Sequence, residues 1–99
     1  MDIPRNIRKL LDGVVGGQGH APKETRKAAF AGDPAALEEP LRSYVAKIAN
    51  HAYKIVDRDL EALRMAGHDD DQIFEITICS AVGAGFLRLE RGLAALKDA

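Results

Sequence analysis

Residues 41–67 read LRSYVAKIANHAYKIVDRDLEALRMAG, and the spacing of their apolar side chains decides the fold. Leu41, Tyr44, Val45, Ile48, Ala52 and Ile55 recur at steps of three and four, the period of one helix face. At about 100° per residue, Ala46, Ala49, Tyr53 and Val56 add a second, mostly small flank, leaving Ser43, Lys47, Asn50 and Lys54 on a narrow wet strip. An apolar arc this wide calls for two sets of neighbours, and in a short chain the second set can come from another subunit. Asp57 is placed to cap a second helix, Arg58 to Ala66, with Leu60 and Leu63 turned inward and Gly67 as its stop. The segment therefore reads as two helices, Leu41 to Val56 and Arg58 to Ala66, meeting at an angle near Val56-Asp57.

Towards the carboxy terminus, Asp69 followed three residues later by Gln72 is a capping-box variant, and Asp70 and Asp71 add negative charge at the positive end of a helix. That helix is predicted over Asp70 to Lys97. Between Ile73 and Leu87 apolar residues occupy most sides of the wheel, the pattern of a central buried helix, and beyond it Leu89, Leu93 and Leu96 continue one seam. Gly83 and Gly85 in SAVGAG each cost about 1 kcal/mol against alanine, which implies close approach of another helix, from this chain or from a second copy.

Towards the amino terminus, Ile3, Ile7, Leu10, Leu11 and Val14 share a side of a short helix with Pro4 in its first turn, ended by Gly16-Gly17. GGQGHA is a connector carrying an exposed His20. Pro22 to Ala31 form a basic helix stopped by Gly32, and Asp33-Pro34 open a short turn that Pro40 separates from the next helix. No strand pattern occurs. The expectation is one all-α domain over residues 1–99, of about five or six helices, with 41–97 as its core and the amino-terminal helices in 1–35.

A chain of 99 residues supports a single core burying roughly 60–65% of the unfolded surface. Trp is absent and aromatics are 5%, so that core is aliphatic. Fourteen basic against fifteen acidic residues, with no basic run, exclude the electrostatic footprint of a nucleic-acid binder. The single Cys79 excludes an internal disulfide, and MDIPRNIRKLLDG has no apolar stretch for export or membrane spanning. A cytoplasmic protein without a membrane partner is expected.

Chemistry concentrates at the elbow. His51 lies one turn after Ile48 and one before Ile55, close in sequence to Tyr53, Asp57 and Asp59. A histidine near a carboxylate serves as general base, with Tyr53 as hydrogen-bond donor, for decarboxylase-like or isomerase-like proton transfer. The competing reading makes Asp57 a cap and His51 a boundary residue, six positions apart and so not on one helix face. Glu75 falls between Val82 and Phe86 on the wheel: it is either a buried carboxylate needing a partner or, near the helix start, a solvent-reaching group that favours the dipole. The catalytic candidates are thus His51, Tyr53, Asp57, Asp59 and Glu75. His68-Asp69-Asp70-Asp71 has no second ligand cluster and is explained by capping, so neither metal nor cofactor is expected. Cys79 among Ile76, Ile78 and Val82 reads as an inert buried sulfur, and Arg88, Glu90 and Arg91 as a solvated helix flank.

The stretches IANHAYKI, RDLEALRMAG and DDDQIFEITICSAVGAGFLRLERGLAAL, within Tyr44 to Leu96, resemble the small all-helical proteins of the alkylhydroperoxidase D and carboxymuconolactone decarboxylase superfamily. In the peroxidase members a C-x-x-C pair precedes a histidine by four residues, and a glycine follows that histidine by eight. Setting that glycine on Gly67 puts Asp59, Ile55 and Ala52 where the histidine and the two cysteines would stand. Without a resolving thiol a peroxidase cycle does not close internally, so thiol peroxidase activity does not carry over. The resemblance implies a homo-oligomer, as dimer, trimer or hexamer, that binds a small molecule or performs non-redox acid/base chemistry at a subunit interface. The contrasting expectation is a non-catalytic assembly or interaction protein.

Overall fold

Proline and glycine set the first helix boundaries. A computed structural model describes residues 5, 9, 12, 13, 16, 17 and 19–98. Helix α1, Lys23–Ala31, starts after the extended Pro22 and stops at Gly32, whose φ of 65° is the left-handed conformation glycine adopts without strain. The Gly32 and Asp33 amides then donate to the carbonyls of Ala29 and Ala28, closing the helix end. A 3₁₀ turn, Pro34–Ala36, leads to α2, Leu41–His51, and a second 3₁₀ turn, Ala52–Lys54, leads to α3, Asp57–Met65. Helix α4, Asp70–Asp98, is the last of four major helices among the described residues, and the domain is all-helical. The helix expected on Ile3, Ile7, Leu10, Leu11 and Val14 lies outside the described residues.

The Asp69/Gln72 capping box forms as read from the sequence: Gln72 N–H donates to Asp69 Oδ1 at 2.8 Å, and Asp69 N–H to Gln72 Oε1 at 3.0 Å. The elbow differs from expectation. Helix α2 ends at His51 instead of running to Val56, and Ile55 and Val56 are extended, a conformation β-branched residues accept readily. The early turn lets Ile55 pack against the core. Asp57 does not cap α3. Asp59 does, its Oδ2 accepting the Val56 N–H at 2.9 Å, while Val56 has no side-chain acceptor to complete a box. Asp33 likewise makes no side-chain cap.

The core is aliphatic and lies where α1, α2 and α3 meet the first half of α4: Val45, Leu63, Ile76 and Cys79 have essentially no exposed surface. Each such side chain contributes roughly 1.5–3 kcal/mol by leaving water. One polar chain is built into it. Thr77 Oγ1 donates to the Ile73 carbonyl at 2.6 Å, so the Tyr44 hydroxyl, 2.7 Å away, is the donor to Thr77. Gly83 is where α1 crosses α4, and a Cβ there would overlap the Phe30 carbonyl. The close approach expected of SAVGAG is therefore intramolecular at Gly83. At Gly85 a Cβ would meet nothing within 4 Å.

Helix α4 is not buried on most sides between Ile73 and Leu87, as the wheel suggested: Phe74 is 65% exposed and Leu87 43%. The reason is geometric. At 1.5 Å per residue its 29 residues span about 44 Å, nearly the whole 47 Å length of the molecule, whereas α1 and α2 end at Ala31 and His51. By length and composition alone α4 could cross a membrane, yet only 28% of its most apolar stretch is buried within the domain. At about 100° per residue its inner face carries Ile73, Ile76, Cys79, Ser80 and Gly83. The opposite, outer face runs through Phe74, Ile78, Val82, Gly85, Leu89 and Leu93 to Leu96.

Candidate functional site

The residues singled out at the elbow lie at the turn between α2 and α3 and in the first turn of α3. His51 and Tyr53 are exposed, their rings 6.0 Å apart in a T-shaped contact, and Asp57 is exposed on the first turn of α3. Asp59 is engaged twice, since Lys47 Nζ lies 2.9 Å from both its oxygens and the Val56 amide donates to it. The Lys47 hydrogen bond, then the Val56 amide, hold its carboxyl below the usual range against the opposing effect of desolvation. Lys47, read from the sequence as part of a wet strip, thus ties α2 to α3. The arrangement fastens the elbow.

Glu75 sits 18 residues beyond the elbow on α4 and joins a different part of the molecule. Its carboxylate accepts the His20 amide at 2.7 and 3.0 Å and the Ala21 amide at 3.2 Å, and it lies 3.9 Å from Arg26 Nε. Arg26, itself buried, also donates to the Gly17 carbonyl. Both readings of Glu75 miss this partner, because 49 residues separate it from Arg26 and no local pattern links them. Burial pushes the Glu75 carboxyl up, but the two amides and the His20 and Arg26 charges outweigh it and leave the pKa below its ordinary value of 4.5. A lowered folded-state pKa adds stability above the unfolded value that is lost as pH falls through the folded one. Glu75→Gln is therefore expected to cost about 2 kcal/mol at neutral pH, with the gap to wild type closing as pH drops below about 4.5, in urea titrations at several pH values.

Cys79 is fully buried, and desolvation raises its thiol pKa. A buried, protonated thiol is a poor nucleophile. Native protein is expected to resist a water-soluble thiol reagent for hours and react at once in denaturant, and wild type and Cys79→Ser are expected to consume peroxide equally poorly. Among the described residues no group of three or more His, Cys, Asp or Glu side chains could hold a metal ion.

The cavity with the most varied chemistry lies where the inner face of α4 emerges past the ends of α1 and α2. It has a volume of about 470 Å³. Ser80, Ala84, Leu87 and Arg91 follow one another along its floor on α4 at helical spacing. Phe30 and Phe86, with ring centroids 6.4 Å apart, belong to the α1 side, and Asn50 and Arg88 to the α2 side, where Arg88 donates to the Ala49 carbonyl. Arg88, Glu90 and Arg91 are exposed, as expected of a solvated flank, and also border this cavity. The sequence signal was the spacing Ser80, Ala84, Leu87, Arg88, Arg91, which passes from small to cationic along one face.

No protein-family model matches this chain, and no curated protein or solved structure matches it either. The functional reading therefore rests on the geometry, above all on the two faces of α4.

Proposed function

We propose that this protein is a non-catalytic, self-associating helical module of the alkylhydroperoxidase D-like kind that its sequence resembles, without redox chemistry. One observation carries the reading. Beyond Asp71 the outer face of α4 is apolar, with Ile78 and Val82 half-buried but Phe74 65%, Leu89 54% and Leu96 73% exposed, and it contains two glycines, Gly85 and Gly92, next to which a Cβ would meet nothing within 4 Å. Glycine within a helix costs about 1 kcal/mol relative to alanine, and no contact among the described residues uses that cost here. A second α4 lying close against the first would use it.

A membrane would also cover apolar surface, but the other face of α4 is packed against α1 and α2, whose charged side chains would enter the bilayer with it. Light scattering on the purified chain is expected to give at least twice the 10.7 kDa chain mass, unchanged in His51→Ala. A 10.7 kDa species at concentrations well above micromolar contradicts the reading.

A further inference from the structure

We propose that the groove between α1, α2 and the emerging inner face of α4 binds a small monocarboxylate with an apolar body of medium length. The site is separate from the outer face assigned to self-association. Three features specify the ligand. First, the Ser80 hydroxyl is buried at the inner end of the floor, the residue being 2% exposed, and has no hydrogen-bond partner among the described residues. A buried hydroxyl without an acceptor is unfavourable, and a carboxylate oxygen supplies one.

Second, the charges set the sign and number. Arg88 and Arg91 against Glu90 leave a net charge of +1 along the groove, and neither arginine makes an ion pair among the described residues. That balance suits a monoanion better than a phosphate dianion. Third, the α1 side is apolar. Phe30, Phe86 and Leu87 offer a surface for hydrocarbon opposite Asn50 and Arg88, so the ligand is amphipathic across the groove. A volume of about 470 Å³ accommodates a chain of this size, within the usual range of small-molecule sites.

The test uses the full chain, labelled with ¹⁵N, and titrates it with octanoate, octan-1-ol and acetate while amide shifts are followed. Octanoate is expected to saturate with a Kd near or below about 1 mM and to move the amides of Phe30, Asn50, Ser80 and Arg88. Octanol, with the chain but no charge, and acetate, with the charge but no chain, are each expected to bind at least about tenfold more weakly. Arg88→Gln is expected to weaken octanoate about tenfold. Ser80→Ala is expected to weaken it several-fold while leaving the Tm unchanged or raised, a combination that a purely structural role for Ser80 does not produce. The proposal is overturned by unsaturable shifts, by octanol or acetate binding as tightly as octanoate, or by shifts confined to the outer face from Phe74 to Leu96.

Discussion

Gly83→Ala is expected to destabilise the domain by about 3 kcal/mol, lowering the Tm by roughly 15 °C, while Gly85→Ala, two residues away, is expected to act in the opposite direction. The two glycines share a helix and a neighbourhood in sequence, so propensity alone predicts the same gain of about 1 kcal/mol from both. Contacts separate them. At Gly83 the added carbon collides with the backbone carbonyl of Phe30, which cannot rotate away, so α1 must lift off α4 and surrender the burial of Ala29. At Gly85 nothing lies within 4 Å. The gain at Gly85 is expected in full only in a monomeric background. Where copies pair through the outer face, the methyl group holds the two helices apart, and the benefit is reduced or reversed. Thermal unfolding of each variant, with and without Leu89→Glu, resolves all four cases.

Leu89→Glu is expected to weaken self-association by at least about 100-fold without unfolding the chain. Leu89 lies towards the middle of the exposed part of the outer face, 54% exposed in the isolated chain, so the substitution removes no core contact. Leucine and glutamate have similar helix propensities, which leaves the helix intact. In a paired state each copy would bring a carboxylate into an apolar contact, where desolvation and mutual repulsion oppose association. Sedimentation velocity is expected to show a shift to monomer with unchanged helical circular dichroism. Loss of helicity together with mass would instead place Leu89 in the fold of the single chain.

Sequence reading recovers what is encoded locally. The stops at Gly32 and Gly67, the Asp69/Gln72 box, the start of α2 after Pro40 and the inward set Leu41, Tyr44, Val45, Ile48 and Leu63 follow from neighbours within a turn or two. What is missed depends on partners distant in sequence. The apolar period continues through Ile55, so nothing in it marks the break at His51, which follows from Ile55 tucking into the core and from Lys47 reaching Asp59. Glu75 is legible as an acidic group in an apolar arc, but its bonds to the His20 and Ala21 amides require the tertiary fold. The groove is hidden for the same reason: Ser80, Arg88 and Arg91 share a face by spacing, whereas Phe30 and Asn50 join them only because α1 and α2 stop short of α4. The breadth of apolar surface on α4 is legible in the sequence, and its division into an inner and an outer face is not.

The central claim is that the outer face of α4 is an interface between copies, and intermolecular paramagnetic relaxation addresses it most directly. A nitroxide attached through Asp98→Cys, selective because Cys79 is buried, is mixed with ¹⁵N-labelled wild-type chain. Broadening of labelled amides is expected on the outer face of α4 alone, around Leu96 if the helices run parallel and around Phe74 to Val82 if they run antiparallel. Absence of intermolecular broadening, or broadening confined to α1, α2 or the elbow, contradicts the account.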